Sequence, residues 1–151
     1  MPDEETLERA REDAAEGKAP STQAGEFVKE EMDHIREGKH GARSTKQAIA
    51  IGLSKARRAG IKLAPPGKAR ASARTRKRAE QDIRKGEESS SRKTSAKRSR
   101  ATSAALKREG RQAASPRALA KQAHQAAGKR GSAARRQAAR KAAQTRHRGG
   151  R

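Results

Sequence analysis

The chain has 151 residues and no cysteine, so disulfides and thiolate metal sites are excluded. Leu, Ile, Val and Phe supply only twelve residues, about 8%, well under the roughly 20% below which a highly charged chain is expected to be disordered. The 39 Lys and Arg against 17 Asp and Glu give a formal net charge of +22, which points to a polyanionic partner and says nothing about fold.

The charge is divided along the chain. Residues 1–40 hold twelve acidic and six basic groups, a net of −6, whereas beyond position 40 thirty-three bases face five carboxylates (Glu80, Asp82, Glu87, Glu88, Glu109), a net of +28. A polycation of this kind gains free energy by releasing the counterions condensed on DNA or RNA phosphates. Nine of the twelve large apolar residues precede position 64, leaving Ile83, Leu106 and Leu119 for the remainder, so a packed core is expected only near the N-terminus.

In chain order, residues 3–16 carry helix formers behind Asp3, with acidic groups in the first turn where the helix dipole favours them. Only Leu7 and some alanines could pack, so this helix is expected to fray. Gly17 to Pro20 breaks the pattern, and Ser21 or Thr22 can cap a second helix running to about Glu37. Phe27, Val28, Met32 and Ile35 fall within roughly 140° of one face of it, counting about 100° per residue.

Gly38-Lys39-His40-Gly41-Ala42-Arg43 suits a connection between antiparallel helices, with Ser44 or Thr45 capping the next one and Gly60 stopping it. Ile49, Gly52, Leu53 and Ala56 share an inward face, Gly52 permitting close approach, while Lys46, Lys55, Arg57 and Arg58 project elsewhere as a basic outer face. Ile51 points away from the stripe, to be covered by Ile61 and Leu63 or by a partner. So small a hairpin core predicts a marginal monomer that dimerises through the hairpin or folds on its partner.

Pro65-Pro66-Gly67 reads as a boundary. The expected organisation is an acidic, partly helical segment at 1–20, a helical hairpin at 21–64, a Pro/Gly then Ser/Arg/Lys-rich linker at 65–100, and an Ala/Arg/Lys-rich basic tail at 101–151. A short helix from Ser72 to Lys85 ends at Gly86, and Glu87 to Arg100 is low-complexity linker. In the tail, Ser103 to Gly110, Ser115-Pro116 to Gly128 and Ser132 to Gly149 repeat a Ser-start, Gly-stop punctuation. These segments lack an apolar face, and like charges such as Arg136 and Arg140 repel at i,i+4. The expected fold class is therefore mostly α with a large disordered fraction: an αα-hairpin at about 21–60 plus an intrinsically disordered basic tail whose short helices form on the nucleic acid.

The candidate nucleic-acid-binding residues are Lys46, Lys55, Arg57 and Arg58 on the hairpin; Arg74, Arg76, Lys77, Arg78, Arg98 and Arg100 in the linker; and Arg117, Lys121, Lys129, Arg130, Arg135, Arg136, Arg140, Lys141, Arg146 and Arg148 in the tail. One Phe and no Tyr or Trp leave no stacking platform for single strands, which favours duplex DNA over RNA. Ser115-Pro116-Arg117 resembles the Ser-Pro-basic elements of linker-histone tails that sit in minor grooves, although an ordinary N-cap explains it as well. Arg74 to Arg78 and Lys97 to Arg100 match nuclear-import clusters, which composition alone also produces, and Ser89 to Ser103 could be phosphorylated.

His34, His40, His124 and His147 show no ligand spacing, so neither metal nor cofactor is expected. Asp33 and His34 are adjacent and point to different helix faces, and nothing encloses a water-free pocket, so an enzyme is not expected. The N-terminus has no apolar run of signal length and no segment reaches the ~20 apolar residues of a membrane span. The expectation is a soluble, cytoplasmic protein with neither membrane nor small-molecule partner.

The runs STQAGEFVKEEM at 21–32 and REGKHGARSTKQAIAIGLSKARRAG at 36–60 resemble a family of small basic bacterial proteins centred on a domain of unknown function, some members of which are loosely called DNA-binding or plasmid-stabilisation proteins. The resemblance implies a bacterial source, which weakens the nuclear-import reading and places the protein at the nucleoid. The functional expectation is a DNA-binding, nucleoid-associated or DNA-compacting accessory protein that coats phosphates without reading sequence. The alternatives are an RNA- or ribosome-associated basic protein, or an adaptor that binds another protein through its acidic N-terminus.

Overall fold

The computed structural model describes residues 2–88 and 95–149, with side chains described as far as His147. Its elements are α1 (Glu4–Ala15), α2 (Pro20–Glu37), α3 (Thr45–Arg58), α4 (Ala73–Glu87), α5 (Ala96–Lys107), a 3-10 turn at Gln112–Ala114, α6 (Pro116–Lys129) and α7 (Gly131–Gly149). Two compact units divide the chain, Met1–Ser115 and Pro116–Arg151. Residues 89–94 of the expected low-complexity linker lie outside the described residues.

The antiparallel pair α2–α3 is present, but it is not alone: α1 packs on α2 and α4 packs on α3. α2 starts one residue before the Ser21 and Thr22 expected to cap it, with Ala19 at the cap position and Pro20 at the first helical position, where a missing N–H costs nothing. It ends at Gly38, whose φ of 79° turns the chain. Ser44 caps α3, its hydroxyl accepting from the Gln47 N–H at 3.2 Å.

α1 is docked rather than frayed. Glu4 and Glu5 occupy its first turn, Thr6 and Ala10 are buried, and Arg9 reaches Glu26 of α2 at 2.8 Å. Its small inward residues let the two helices approach closely, which a search for large apolar side chains does not detect.

The buried face of α3 is shifted from the expected stripe. Ala48, Gly52 and Ala56 lie at its centre, while Ile49 and Leu53 are only half-buried at its flanks. The reason is the helix crossing at Gly52, where an added Cβ would come 2.7 Å from Val28 Cα and 2.9 Å from the Phe27 carbonyl oxygen. Both obstacles are backbone, so the helices would have to separate. Gly52→Ala is therefore expected to destabilise the protein by about 1–3 kcal/mol, despite the ~1 kcal/mol by which alanine ordinarily favours a helix over glycine. A shift of the urea midpoint to higher denaturant would show the crossing to be looser than described.

The core joins Ala10, Ala24, Phe27 and Ala56, with Leu7, Leu53, Ile61 and Leu63 packed around it. Ile61 and Leu63 thus fold back over this cluster. α4 docks through buried Ala79 and through Asp82, which accepts from the Ser54 hydroxyl at 2.6 Å, and it continues past Gly86 to Glu87.

The end of α5 and the residues after it clasp the α2–α3 turn. The Gly41 N–H donates to Leu106 O at 2.9 Å, Ala42 N–H to Gly110 O at 3.2 Å, Thr45 Oγ1 to Ala113 O at 2.6 Å and Arg36 Nε to Ala114 O at 3.1 Å. A Cβ on Gly41 would fall on the Glu109 carbonyl, so this clasp requires glycine there.

The expected fold class, a hairpin with a large disordered fraction, is overturned. The chain is all-helical among the described residues, and residues assigned to linker and tail as far as Ser115 belong to a packed unit. The physical reason lies in the core composition. Eight of the eleven buried hydrophobic residues are alanines (Ala10, Ala24, Ala42, Ala48, Ala56, Ala79, Ala113, Ala114), which a composition test based on Leu, Ile, Val and Phe does not count. In the second unit α6 and α7 are rich in Ala, Gln, Lys and Arg, residues at the favourable end of the helix scale, and no described residue of either helix is buried.

Candidate nucleic-acid interface

The structure separates the twenty expected phosphate-binding cations into two groups. Three of the four on α3 are committed within the fold. Arg57 is buried, donating from Nε to Leu63 O at 3.1 Å and from Nη2 to Ala64 O at 3.3 Å, so it pins the returning segment over the core and is withdrawn from solvent. Burial pushes its guanidinium below the ordinary arginine value, with Asp82 acting in the opposite direction. Arg58 is half-exposed and pairs with Asp82 at 3.2 Å.

Lys55 bridges two enclosed carboxylates, its Nζ lying 2.8 Å from Glu30 Oε1 and 2.9 Å from Glu31 Oε2. Burial lowers the pKa of its ammonium, but Glu30 and Glu31 outweigh that and hold it above the usual lysine value. Correspondingly, burial raises the Glu30 carboxyl while Lys55 and the Asp3 backbone N–H bring it below its ordinary value. Of the basic outer face expected of this helix, Lys46 and Arg58 are exposed, Arg58 while paired with Asp82.

On α4, Arg74, Lys77 and Arg78 are exposed, while Arg76 is half-buried with its Nε enclosed and without a hydrogen-bond partner. Arg98 and Arg100 on α5 are exposed. In the second unit Arg117, Lys121, Lys129, Arg130, Arg135, Arg136, Arg140, Lys141 and Arg146 are all exposed; Arg148 lies in α7 with its side chain outside the described residues.

Residues 116–151 contain eleven Lys and Arg and no Asp or Glu, so no carboxylate of this unit can neutralise them. At 1.5 Å per residue the nineteen residues of α7 extend about 28 Å. Over that length lie Arg135, Arg136, Arg140, Lys141, Arg146 and Arg148, a cationic rod opposite a polymer with one phosphate charge per ~1.7 Å of axis. Helix formation spreads the side chains of Arg135, Arg136, Arg140, Lys141 and Arg146 around the rod.

Sequence reasoning missed the charged cluster between α2 and the turn: Glu30 and Glu31, enclosed on the inner side of α2, together with His34, His40 and Asp3. The signal was present in the adjacent Glu30-Glu31 pair beside an apolar stripe, but only the fold places Lys55 against it. The two histidines, six positions apart without ligand spacing, come together because Gly38 reverses the chain, and their ring centroids lie 6.0 Å apart.

Taken together, the fold and these surfaces define a basic protein, all-helical among the described residues, whose second unit carries cations and no carboxylate. Residues 20–68, which contain α2, α3 and the returning segment, match the model of a family of unknown function, DUF6496. No curated protein and no solved structure matches the chain. No helix among the described residues is long and apolar enough to cross a membrane.

Proposed function

We propose that this chain binds duplex nucleic acid, DNA in the first place, without reading sequence, as a nucleoid-associated or DNA-compacting accessory protein. The observation that carries this reading is the second unit, with eleven cations, no carboxylate and every described basic side chain exposed. Phe27 supports duplex over single strands: the only aromatic side chain of Phe, Tyr or Trp type is fully buried, so none of that type is left on which a base could stack. The folded Met1–Ser115 unit adds exposed cations from α4 and α5, among them Arg74, Lys77, Arg78, Arg98 and Arg100.

The test is affinity for a DNA duplex as a function of salt. If about eight phosphates are neutralised, affinity falls on the order of a thousandfold or more between 50 and 200 mM salt. Replacing Arg135, Arg136, Arg140 and Lys141 together by Gln should reduce the slope of log affinity against log salt by about 4, one unit per lost phosphate contact. A nearly salt-independent affinity overturns the proposal, and an unchanged slope in the fourfold variant moves the interface to α4 and α5. Competition by structured RNA better than by matched duplex DNA would favour the RNA-binding alternative.

A further inference from the structure

Glu31, His34 and His40 form a cluster at the α2–α3 turn that phosphate binding does not use. Each imidazole has one nitrogen engaged by an oxygen. His40 Nδ1 lies 3.1 Å from the Gly41 carbonyl, an acceptor only, so Nδ1 carries the proton and Nε2 of the neutral ring is a free lone pair. His34 Nε2 lies 3.0 Å from Asp3 Oδ2, which fixes its proton in the same way and leaves Nδ1 as the lone pair. This is the arrangement found behind metal-ligating histidines, in which a carboxylate or backbone carbonyl sets the tautomer and aims the other nitrogen.

The third member is Glu31, whose side chain is 1% exposed. Lys55 Nζ meets its Oε2 at 2.9 Å, whereas its Oε1 has no hydrogen-bond partner and lies 3.3 Å from His40 Nε2. With Nε2 bare, two acceptors face each other, and a cation between them turns that opposition into two bonds. Charge points the same way, since Glu30 and Glu31, both enclosed, have only the ammonium of Lys55 between them.

The spacing fits a tetrahedral ion. Ligand atoms about 2.0–2.1 Å from zinc at the tetrahedral angle are about 3.3 Å apart, and the Glu31–His40 pair already has that separation at 3.3 Å. One ligand atom each from Glu31, His34 and His40 lies within 4.8 Å of the others, close enough for small side-chain rotations to complete the triangle. In front of it opens a cavity of about 550 Å³, lined by apolar Ile51 and Leu106 and by the cations Lys39, Lys55, Arg58 and Arg98, which leaves room for a water as fourth ligand.

We propose that Glu31, His34 and His40 bind one divalent transition-metal ion of the zinc class, with Asp3 and the Gly41 carbonyl as orienting partners. Two imidazoles and one carboxylate suit zinc and its neighbours rather than magnesium or calcium, which prefer oxygen. Because the ligands come from α2 and the connection to α3, and Asp3 from the start of α1, the ion ties three parts of the first unit together.

The experiment is titration of Zn²⁺ into the metal-free full-length chain, followed by competition with a chromophoric chelator and by the histidine ring signals in NMR. One equivalent is expected to bind, to move the ring signals of His34 and His40 while leaving those of His124 and His147 in place, and to raise the melting temperature. Asp3→Asn should weaken binding by about 10–100-fold, as loss of an orienting partner does. His40→Gln should weaken it further, and His124→Ala should leave it unchanged. Absence of uptake overturns the proposal. Uptake that shifts His124 or His147 equally, or that persists undiminished in a folded His40→Gln, overturns it as well. If circular dichroism shows that His40→Gln does not fold, the ring signals of the unmutated protein decide alone.

Discussion

Phe27→Ala is expected to destabilise the Met1–Ser115 unit by about 3–5 kcal/mol, the range for removing a fully buried aromatic side chain. Phe27 is 0% exposed and sits among Ala10, Ala24 and Ala56, with Leu7, Leu53, Ile61 and Leu63 around them. The alanine neighbours have no further side chain to swing into the space, and the helix crossing at Gly52 is already at backbone contact, so the cavity cannot close by collapse. Against a typical total stability of roughly 5–15 kcal/mol, the loss removes much of the margin. Urea unfolding monitored by helical circular dichroism should show a large fall in midpoint. Leu53→Ala, at a half-buried flank, should cost less; the reverse order would place the centre of the core on the Ile49–Leu53 side of α3.

Lys55→Ala is expected to be about as damaging, on the order of 3–5 kcal/mol, the range for breaking a buried ion pair by removing one partner. The substitution would leave Glu30 and Glu31 enclosed without the ammonium that contacts both. Combining Lys55→Met with Glu30→Gln and Glu31→Gln should recover much of the loss, because no charge then remains unpaired. Lys46→Ala, on the exposed face of the same helix, should stay within about 0.5 kcal/mol. A Lys55→Ala variant of unchanged stability and weakened DNA binding would show Lys55 to be a surface cation after all.

These contrasts mark where sequence reasoning reached its limit on α3. Periodicity identified the helix and the close approach at Gly52, and left its cap between Ser44 and Thr45, of which the fold uses Ser44. It ranked candidate inward residues by size, however, and chose Ile49 and Leu53 over Ala48. At a crossing this tight the central positions must be small, so large residues are displaced to the flanks. The same ranking misjudged α1, where Thr6 and Ala10 do the packing, and it treated Lys55 and Arg57 as outward because charged side chains usually are.

What the sequence determined by itself is local or additive: the acidic and basic halves, the absence of cysteine, the helical punctuation at Pro20, Gly38, Ser44 and Gly60, and the run of 116–151 without a carboxylate. Each depends on residue identity or on neighbours within one helical turn. What only the tertiary structure decided depends on residues far apart in the chain: the alanine core that carries the fold through Ser115, the clasp of Leu106 to Ala114 on the α2–α3 turn, and the meeting of Glu31, His34, His40 and Lys55. Alanine is equally at home in an exposed helix and in a close helix crossing, so its count could not distinguish a solvated tail from a packed core, and only the approach of a second backbone separates the two.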